Sequence, residues 1–340
     1  MNALTKFSIV AGLTCLMGPG ELGAQDCDPQ GDVQFVCGPS NPEDLVRLPE
    51  ESWVIASGME DNGHLYRVDT RDHTTDVVFP THTSTPRFDR ETYGACPGPG
   101  VEEFRPHGLS LRPGPDGLHT LYVVRHGLRE SVEVFEVDAS QDAPTLTWVG
   151  CVVAPEGVGL NSVAALPETG FAATNFQRPV GEVWEWQPDA GWAKVPGSET
   201  SGPNGLVAAP DGQWLFVGGW GTQSLIRLSR GKSEPQTDSV DVGFHIDNVR
   251  WGPDGSLFAA GHRGDSPEAI FECLGQGRCD SVTSRVAKVD PETLEAEEII
   301  RYPSDDVLTI GTVAIQVDDE IWVGGIGGGD RIIRFVAPTP

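Results

Sequence analysis

The sequence is poor in basic residues, and beyond its N-terminus it has no long hydrophobic run. Lysine and arginine number 23 against 50 aspartate and glutamate residues, so the formal net charge is −27. This excess of negative charge disfavours binding to nucleic acid or to an anionic membrane surface. No segment after residue 25 is apolar enough to cross a bilayer. We therefore expect no nucleic-acid partner and no membrane span.

Several motifs that would mark common enzyme classes are also missing. No Gly-x-Ser-x-Gly elbow precedes a helix pattern, which disfavours a serine hydrolase. The glycine-rich run "GGIGGG" follows a strand pattern, but no helix pattern comes after it, so it is not a credible nucleotide-binding loop. No Cys-x-x-Cys pair is present, which makes a zinc site improbable. Long apolar patterns of helical period are scarce, whereas 42 glycines and 27 prolines favour short strands joined by turns.

The N-terminus resembles a secretory signal. Lys6 precedes an apolar run from Phe7 to Met17, and "GELGAQ" then offers small residues for cleavage near Ala24 or Gln25. A lipoprotein signal at Cys15 is the alternative, but "GLTC" lacks the usual leucine three residues before the cysteine. We predict a signal peptide at 1–25, a single domain at 26–340, and a secreted or periplasmic protein.

Six cysteines follow the predicted signal. An even number of cysteines in an exported chain indicates disulfides. Proximity in sequence favours Cys27–Cys37 and Cys273–Cys279, which leaves Cys96 and Cys151 for each other. Sequence alone leaves the other connectivities open.

A strand–turn–strand unit recurs six times along the chain. Its copies are "PEDLVRLPEESWVIASG", "RPHGLSLRPGPDGLHTLYVVRHG", "LNSVAALPETGFAATNF", "PNGLVAAPDGQWLFVGGW", "IDNVRWGPDGSLFAAGH" and "IGTVAIQVDDEIWVGGIGG". Most copies are followed by a third strand pattern, and the shortest spacing suits a propeller blade of about 40–45 residues. Longer spacings hold two insertions, near Asp72–Val101 and Gly264–Thr283. The repeat predicts an all-β, six-bladed β-propeller, in preference to a sandwich or a seven-bladed ring, with "VQFV" (Val33 to Val36) as an added strand of the last blade.

Polar residues occupy the start of the first strand in each repeat. The first column of these positions is Glu43, His107, Asn161, Asn204, Asp247 and Gly311, and the second is Asp44, Gly108, Ser162, Gly205, Asn248 and Thr312. A single Asn or Asp there is explained by turn capping. Because first strands line the central tunnel of a propeller, however, the column forms a ring. Carboxylate and amide oxygens are the ligands of Ca²⁺, and Mg²⁺ suits such a ring less well.

Hairpin geometry brings further side chains to the same end of the tunnel. The return strand of each hairpin places His126 near His107, His262 near Asp247, and the aromatic residues Phe176 and Trp220 near the asparagines of the ring. A histidine can take a proton from water and a second can relay it. His64, His73, His82, His119 and His245 fall in predicted loops or turns, and we interpret them as ordinary.

The chain resembles the calcium-dependent six-bladed propeller hydrolases, most closely the paraoxonase/arylesterase family and more loosely the gluconolactonase and diisopropylfluorophosphatase groups. The likeness rests on "PEDLVRLP", "FRPHGLSL", "LYVVRHG", "LNSVAAL", "PNGLVAAPDG", "IDNVRWGPDG", "SRVAKV" and "GTVA". It implies a catalytic calcium held by Glu43, Asn161, Asn204, Asp247 and Asn248. It further implies a structural calcium at Asp44 and the Leu109 carbonyl, His107 as the base, His126 as its relay, and His262 in the pocket wall.

Two positions depart from the paraoxonase pattern. Ser162 stands where a second carboxylate would serve the structural calcium, which weakens that implication. No cysteine follows Cys279, so the ring cannot close through a C-terminal disulfide. The two insertions are expected to reshape the mouth of the pocket.

These observations predict an exported calcium-dependent hydrolase of lactones or aryl esters. Three alternatives remain: phosphotriester hydrolysis at the same site, a non-hydrolytic enzyme similar to strictosidine synthase, and a binding propeller with a structural ion. The oxygen ligands of the ring disfavour the second alternative, because that group does not rely on a calcium ring. The sequence leaves the oligomeric state open.

Overall fold

The computed structural model describes residues 27–49, 52–82 and 84–338. The predicted signal peptide at 1–25 lies outside these residues. None of the helices within the described ranges is long and apolar enough to cross a membrane.

Nearly all regular structure in the described residues is antiparallel β. The first half of the chain forms β1 (Gln34–Cys37), β2 (Pro42–Arg47), β3 (Trp53–Gly58), β4 (Leu65–Asp69), β5 (Thr75–Phe79), β6 (Phe104–Arg112), β7 (Leu118–Gly127), β8 (Ser131–Asp138), β9 (Thr145–Val153), β10 (Leu160–Ala165), β11 (Phe171–Asn175) and β12 (Glu182–Gln187). The second half forms β13 (Gly191–Lys194), β14 (Pro203–Ala208), β15 (Trp214–Gly219), β16 (Ser224–Ser229), β17 (Thr237–Asp241), β18 (His245–Trp251), β19 (Leu257–Arg263), helix α1 (Pro267–Cys273), β20 (Thr283–Val289), β21 (Ala296–Pro303), β22 (Ile310–Val317), β23 (Glu320–Ile326) and β24 (Arg331–Val336).

The strands form six four-stranded sheets, one for each repeat in the sequence. They are β2–β5, β6–β9, β10–β13, β14–β17, β18–β21, and β22–β24 together with β1. The inner strands β2, β6, β10, β14, β18 and β22 each contact the inner strands of two neighbouring sheets, so they surround a common axis. The predicted six-bladed β-propeller is confirmed.

The hairpins turn where the Pro-Asp-Gly motif predicts. Between β14 and β15 the amide of Gly212 donates to the carbonyl of Ala209 across 2.8 Å. Gly212 has a φ of +67°, a conformation that side-chain-bearing residues rarely adopt, which explains the glycine at this point of the repeat.

The N-terminal strand closes the ring. β1 pairs antiparallel with β24, with Phe35 opposite Ile333 and Val36 opposite Ile332. The strand begins and ends one residue later than "VQFV" suggests, and its predicted place in the last blade is confirmed. The first and last segments of the chain thus complete one sheet, which holds the two ends of the ring together without a C-terminal cysteine.

Three disulfides secure the segments outside the blades. Cys27–Cys37 anchors the chain before β1, Cys96–Cys151 ties the first insertion to β9, and Cys273–Cys279 closes a loop after α1. These are the pairings that sequence proximity favours. Three disulfides indicate that the protein folds in an oxidising compartment.

The closing strand should carry a large share of the stability. Phe35 is buried between blades, and Phe35→Ala should lower the free energy of unfolding by about 3–5 kcal/mol. Gln34→Ala, on the same strand but exposed to solvent, should change it by less than about 0.5 kcal/mol. Urea unfolding of both variants measures the difference; equal stabilities would show that β1 is dispensable.

Candidate functional site at the mouth of the tunnel

All six inner strands carry an irregularity at the position of the polar columns. Strand pairing shifts register between Pro42 and Asp44, and equivalent shifts occur between Pro106/Leu109, Leu160/Val163, Pro203/Leu206, Ile246/Asn248 and Gly311/Val313. A bulge of this kind re-aims the side chains that it carries. Six bulges at one level explain how the column residues face one another at one end of the tunnel.

The first-column side chains line a single cavity of about 170 Å³. Glu43, His107, Asn161, Asn204 and Asp247 come from five different blades and all contribute to its wall. Gly311, the sixth member, offers only backbone. The blades approach closely here: a Cβ on Gly205 would lie 2.6 Å from the carbonyl oxygen of Asp247.

The oxygen-bearing side chains of the ring are buried and only partly paired. Asn248 donates from Nδ2 to Glu43 Oε1 across 2.7 Å. Glu43 Oε2 and Asn204 Oδ1, in contrast, are buried and have no hydrogen-bond partner. Unpaired buried oxygens are costly, so their presence at one point of the cavity calls for a ligand.

The electrostatics of the ring point to a positively charged ligand. Burial raises the pKa of Asp247 well above its usual value, and the neighbouring Glu43 carboxylate raises it further. Burial also raises the pKa of Glu43, but the charge and hydrogen bond of His107 outweigh it and the net shift is downward. His107 Nε2 lies 3.5 Å from Glu43 Oε1. A cation between the two carboxylates would relieve their mutual repulsion.

The donor set fits a hard cation. Among the described residues no group of three or more His, Cys, Asp and Glu side chains forms a metal cluster, because the ring has two carboxylates and completes its oxygen set with asparagine amides. Ca²⁺ accepts such mixed oxygen ligands at flexible geometry. With two unpaired buried oxygens aimed at the cavity, Glu43, Asn161, Asn204, Asp247 and Asn248 would be able to hold calcium.

A chain of three ionisable side chains runs outward from the ring. His107 Nδ1 lies 2.8 Å from His126 Nε2, and His126 Nδ1 lies 2.9 Å from Glu130 Oε2. If Glu130 accepts the proton on His126 Nδ1, then His126 Nε2 accepts from His107 Nδ1–H. In that tautomer His107 Nε2 carries no proton and is able to accept one, although in this structure it also lies 3.5 Å from Glu43 Oε1.

Glu130 is a member of this chain that sequence reasoning missed. It follows β7, four residues after His126, and its Oε1 accepts a hydrogen bond from the Leu160 amide across 2.6 Å. That bond anchors Glu130 to the neighbouring blade. The spacing of four residues after a candidate relay histidine was the available signal.

The pocket wall opposite the histidine pair is aromatic. Trp220 donates from Nε1 to His262 Nε2 across 2.9 Å, and His262 Nδ1 lies 3.2 Å from the Gly311 carbonyl. Burial lowers the pKa of His262 to about 4, so it is neutral with both nitrogens engaged. It lies in the wall, where the resemblance places it, and Phe176 packs edge-on against Trp220.

Two histidines that the sequence assigns to loops or turns lie in strands and are buried: His119 belongs to β7, and His245 belongs to β18. Instead of an ordinary loop residue, His245 is a buried residue at the start of its strand that stacks on Trp220 with ring centroids 4.2 Å apart. Its Nδ1 lies 2.6 Å from the Trp220 carbonyl. His245 therefore holds the pocket tryptophan from behind.

The two insertions do not behave alike. Ile270, Phe271 and Leu274, in or just after α1, line the cavity, so the second insertion forms part of its mouth. The first insertion instead runs along the outer edge of its blade, where the Arg87 amide donates to the Trp148 carbonyl across 2.9 Å. Its described residues do not line the cavity, so the expectation that both insertions shape the mouth holds for the second alone.

Asp44, assigned by the resemblance to a second calcium, has a different partner. Its carboxylate accepts hydrogen bonds from the amides of Leu45 and Leu109, and from the guanidinium of Arg250. The Leu109 carbonyl also accepts from Arg250, across 3.1 Å. Burial raises the pKa of Asp44 to about 6 against the opposing effect of Arg250, and the three groups that bond it are all donors, which favour the carboxylate form. Asp44 and Leu109 therefore do not fit a second calcium.

Comparison with known proteins now adds to this geometry. No protein-family model and no curated protein sequence matches the chain. Solved structures do match. The chain shares its fold with them. A protein provisionally described as a gluconolactonase matches with a TM-score of 0.55 and 16% identity, covering 92% of this chain and 97% of that chain.

Two further structures match over most of the chain. Regucalcin from Agrobacterium tumefaciens, a calcium-binding protein, matches with a TM-score of 0.51 and 12% identity over 88% of this chain and 90% of its own. A virginiamycin B lyase from Staphylococcus aureus matches with a TM-score of 0.51 and 11% identity over 90% and 99%. At these identities the likeness establishes the fold, which is the propeller that the resemblance implies.

The ring generates a test of cation binding. Calcium at 100 times its dissociation constant should stabilise the wild type by about 2.7 kcal/mol, visible as a rise in melting temperature. Asn204→Ala and Asp247→Asn should abolish most of that rise, because each removes an oxygen or a charge from the ring.

Asn175→Ala is the matched control. Asn175 is a buried asparagine at the end of β11 that bonds Gly159 and Glu182 instead of the ring. Its loss should lower the melting temperature yet leave the calcium-induced rise intact. An unchanged rise in Asp247→Asn would contradict the site.

Proposed function

We propose that the protein is a calcium-dependent hydrolase of lactones or aryl esters. The observation that carries the proposal is the meeting, in one buried cavity, of two unpaired ligand oxygens and a histidine acceptor. Glu43 Oε2 and Asn204 Oδ1 have no partner, and His107, whose Nε2 lies 3.5 Å from Glu43 Oε1, lines the same cavity. The names of the neighbouring gluconolactonase and calcium-binding regucalcin support the same chemistry.

Glu43, Asn161, Asn204, Asp247 and Asn248 would hold the calcium in this proposal. Bound there, calcium would supply Lewis-acid polarisation of a carbonyl and stabilise the developing oxyanion. A cation bound to Glu43 would weaken the interaction between the Glu43 carboxylate and His107. The His107 imidazole would then be able to act as a base.

His107 takes a proton from water at Nε2 in the proposed reaction. His126 and Glu130 fix the tautomer, because the Glu130 carboxylate favours a proton on His126 Nδ1 and thereby makes His126 Nε2 an acceptor. The proton gives His107 a positive charge, which the Glu130 carboxylate at the far end of the chain stabilises until the proton passes to the oxygen of the leaving alkoxide or phenoxide as the C–O bond breaks. A positioned general base of this kind contributes about 10²–10⁴-fold in rate.

The remaining cavity wall indicates an apolar substrate. Phe176, Trp220, Ile270, Phe271 and Ile310 line it, and no aspartate or glutamate other than the ring pair contributes among the described lining residues. An aryl or alkyl group attached to the reacting carbonyl would bury apolar surface there. The partner that we propose is accordingly a small ester or lactone.

Export is the proposed setting for this activity. The three disulfides require an oxidising environment, and a secreted or periplasmic location supplies one. Mass spectrometry of protein purified from the medium or periplasm tests this directly. It should show an N-terminus from which the signal peptide has been cleaved.

Hydrolysis can be tested with a panel of lactones, phenyl acetate and paraoxon, with and without chelator. Chelation should abolish turnover and added calcium should restore it. His107→Gln should lower kcat about 10²–10⁴-fold, because it removes the base. Glu130→Gln should lower kcat less and leave KM unchanged, because Glu130 acts through His126.

His119→Gln is the control, since His119 lies on the same strand as His126 but at the opposite end of the blade. Its activity should equal that of the wild type. Reaction in ¹⁸O-labelled water separates hydrolysis from elimination, because only hydrolysis places the label in the product acid. Calcium-independent turnover, or full activity of His107→Gln, would refute the proposal, and a preference for paraoxon would reassign the substrate to phosphotriesters.

Helix α1 should control substrate size. Phe271→Ala enlarges the mouth, so KM for bulky aryl or long acyl substrates should fall severalfold relative to small ones while kcat changes little. Glu272→Ala, an exposed neighbour on the same helix that does not line the cavity, should leave the preference unchanged. An identical substrate profile for both variants would exclude α1 from recognition.

A further inference from the structure

Arg250 occupies the tunnel below the candidate calcium site. It belongs to β18, two residues after Asn248, and it is buried. Its Nη2 donates to the Asp44 carboxylate and, across 3.1 Å, to the Leu109 carbonyl. Its Nε donates to the Leu45 carbonyl across 3.1 Å. One guanidinium, carried by β18, therefore joins acceptors on β2 and β6 and so links three blades.

These contacts use the groups that a second ion would need. Asp44 Oδ1 accepts from the Leu45 amide across 2.7 Å, and Asp44 Oδ2 accepts from the Leu109 amide across 2.6 Å and from Arg250. Ser162, at the position of the expected second carboxylate, accepts the Leu206 amide across 3.2 Å. Every oxygen in this set already accepts a hydrogen bond and Asp44 Oδ2 accepts two, unlike Glu43 Oε2 and Asn204 Oδ1, which have no partner.

The charge balance leads to the same conclusion. At this level of the tunnel one carboxylate, Asp44, faces one guanidinium, and the pair is neutral. A divalent ion beside Arg250 would place three positive charges against one negative charge in a buried site, which is strongly unfavourable. Arginine suits the position because its planar fork donates to several fixed acceptors and keeps its charge when buried.

We propose that the Arg250 guanidinium is the permanent cation of the tunnel, so that the chain binds one calcium at the mouth and none beneath it. Glu43 of the ring and Asp44, which binds Arg250, are consecutive residues of β2, so the two levels are joined through one strand. Arg250 thus supports the inner side of the ring from below. Calcium at the mouth can bind and dissociate without separating the blades. Chelation should therefore leave a folded protein that rebinds calcium without refolding.

Calcium content tests the stoichiometry. After dialysis against buffered calcium and removal of free ion, elemental analysis should give one calcium per chain in the wild type and one in Asp44→Asn, but none in Asp247→Asn. Two calcium ions in the wild type, or a loss of one in Asp44→Asn, would overturn the proposal. This arm presumes the calcium site at the mouth.

A double-mutant cycle run in chelator tests the pair without reference to calcium or to hydrolysis. Arg250→Met leaves Asp44 buried without its cation, and Asp44→Asn leaves Arg250 without its anion, so each should lower the melting temperature by on the order of 5 °C or more. Asp44→Asn/Arg250→Met removes both charges and should recover at least half of the summed loss. Arg250→Lys keeps the positive charge but removes the planar, forked guanidinium donors, so it should lower the melting temperature by an intermediate amount.

Arg125→Met is the matched control, because Arg125 is a buried arginine that pairs with Glu133 instead of Asp44. Its effect should add to that of Asp44→Asn without recovery. Additive effects of Asp44→Asn and Arg250→Met would overturn the inference. Coupling in this cycle together with no calcium at the mouth would uphold the role of Arg250 and reject the hydrolase proposal, so the two failures are distinguishable.

Discussion

The inner strands of six blades start around one narrow axis, and polar side chains placed there cannot reach bulk solvent. The bulge at the start of each inner strand turns those side chains toward the axis, where Glu43 and Asp247 lie within reach of each other's charge. Buried carboxylates in this position need compensation by a proton, a cation or a hydrogen-bond donor. The chemistry of the tunnel follows from how each of these charges is compensated.

The protein uses two different solutions at two depths. Deeper in the tunnel, a covalently attached guanidinium neutralises Asp44 and ties three blades together. At the mouth, the compensation is incomplete, since oxygens of Glu43 and Asn204 have no partner. A site whose polar groups are all paired within its own chain would have to break those bonds to bind a ligand. The incomplete level is therefore the one suited to chemistry.

The repeat pattern was sufficient to predict the blades, the closing strand and the column of ring residues, because hairpin period and turn motifs are local properties of the sequence. The bulges were not predictable, since register depends on pairing between strands. Arg250 was not predicted because it lies in a strand that the repeat pattern assigns to the core. Its partners lie on distant blades, so only the assembled ring reveals them. His245 was missed for the same reason, since it stacks on Trp220 of another blade, whereas Glu130 lies only four residues after His126 and that spacing was a local signal. The sequence of the first insertion did not indicate that it packs against the outer edge of a blade.

The loop that carries α1 leaves the ring after β19 and returns to it at β20, two strands that pair directly with each other. Its internal disulfide, Cys273–Cys279, spans only six residues and makes no covalent link to the blades. The loop still packs on the ring, since Ile270 shares a buried cluster with Trp220 and Ile310 and the Cys279 amide donates to Ser304. Exchange of this loop would therefore change the lining of the cavity mouth while the pairing of β19 with β20 stays in place.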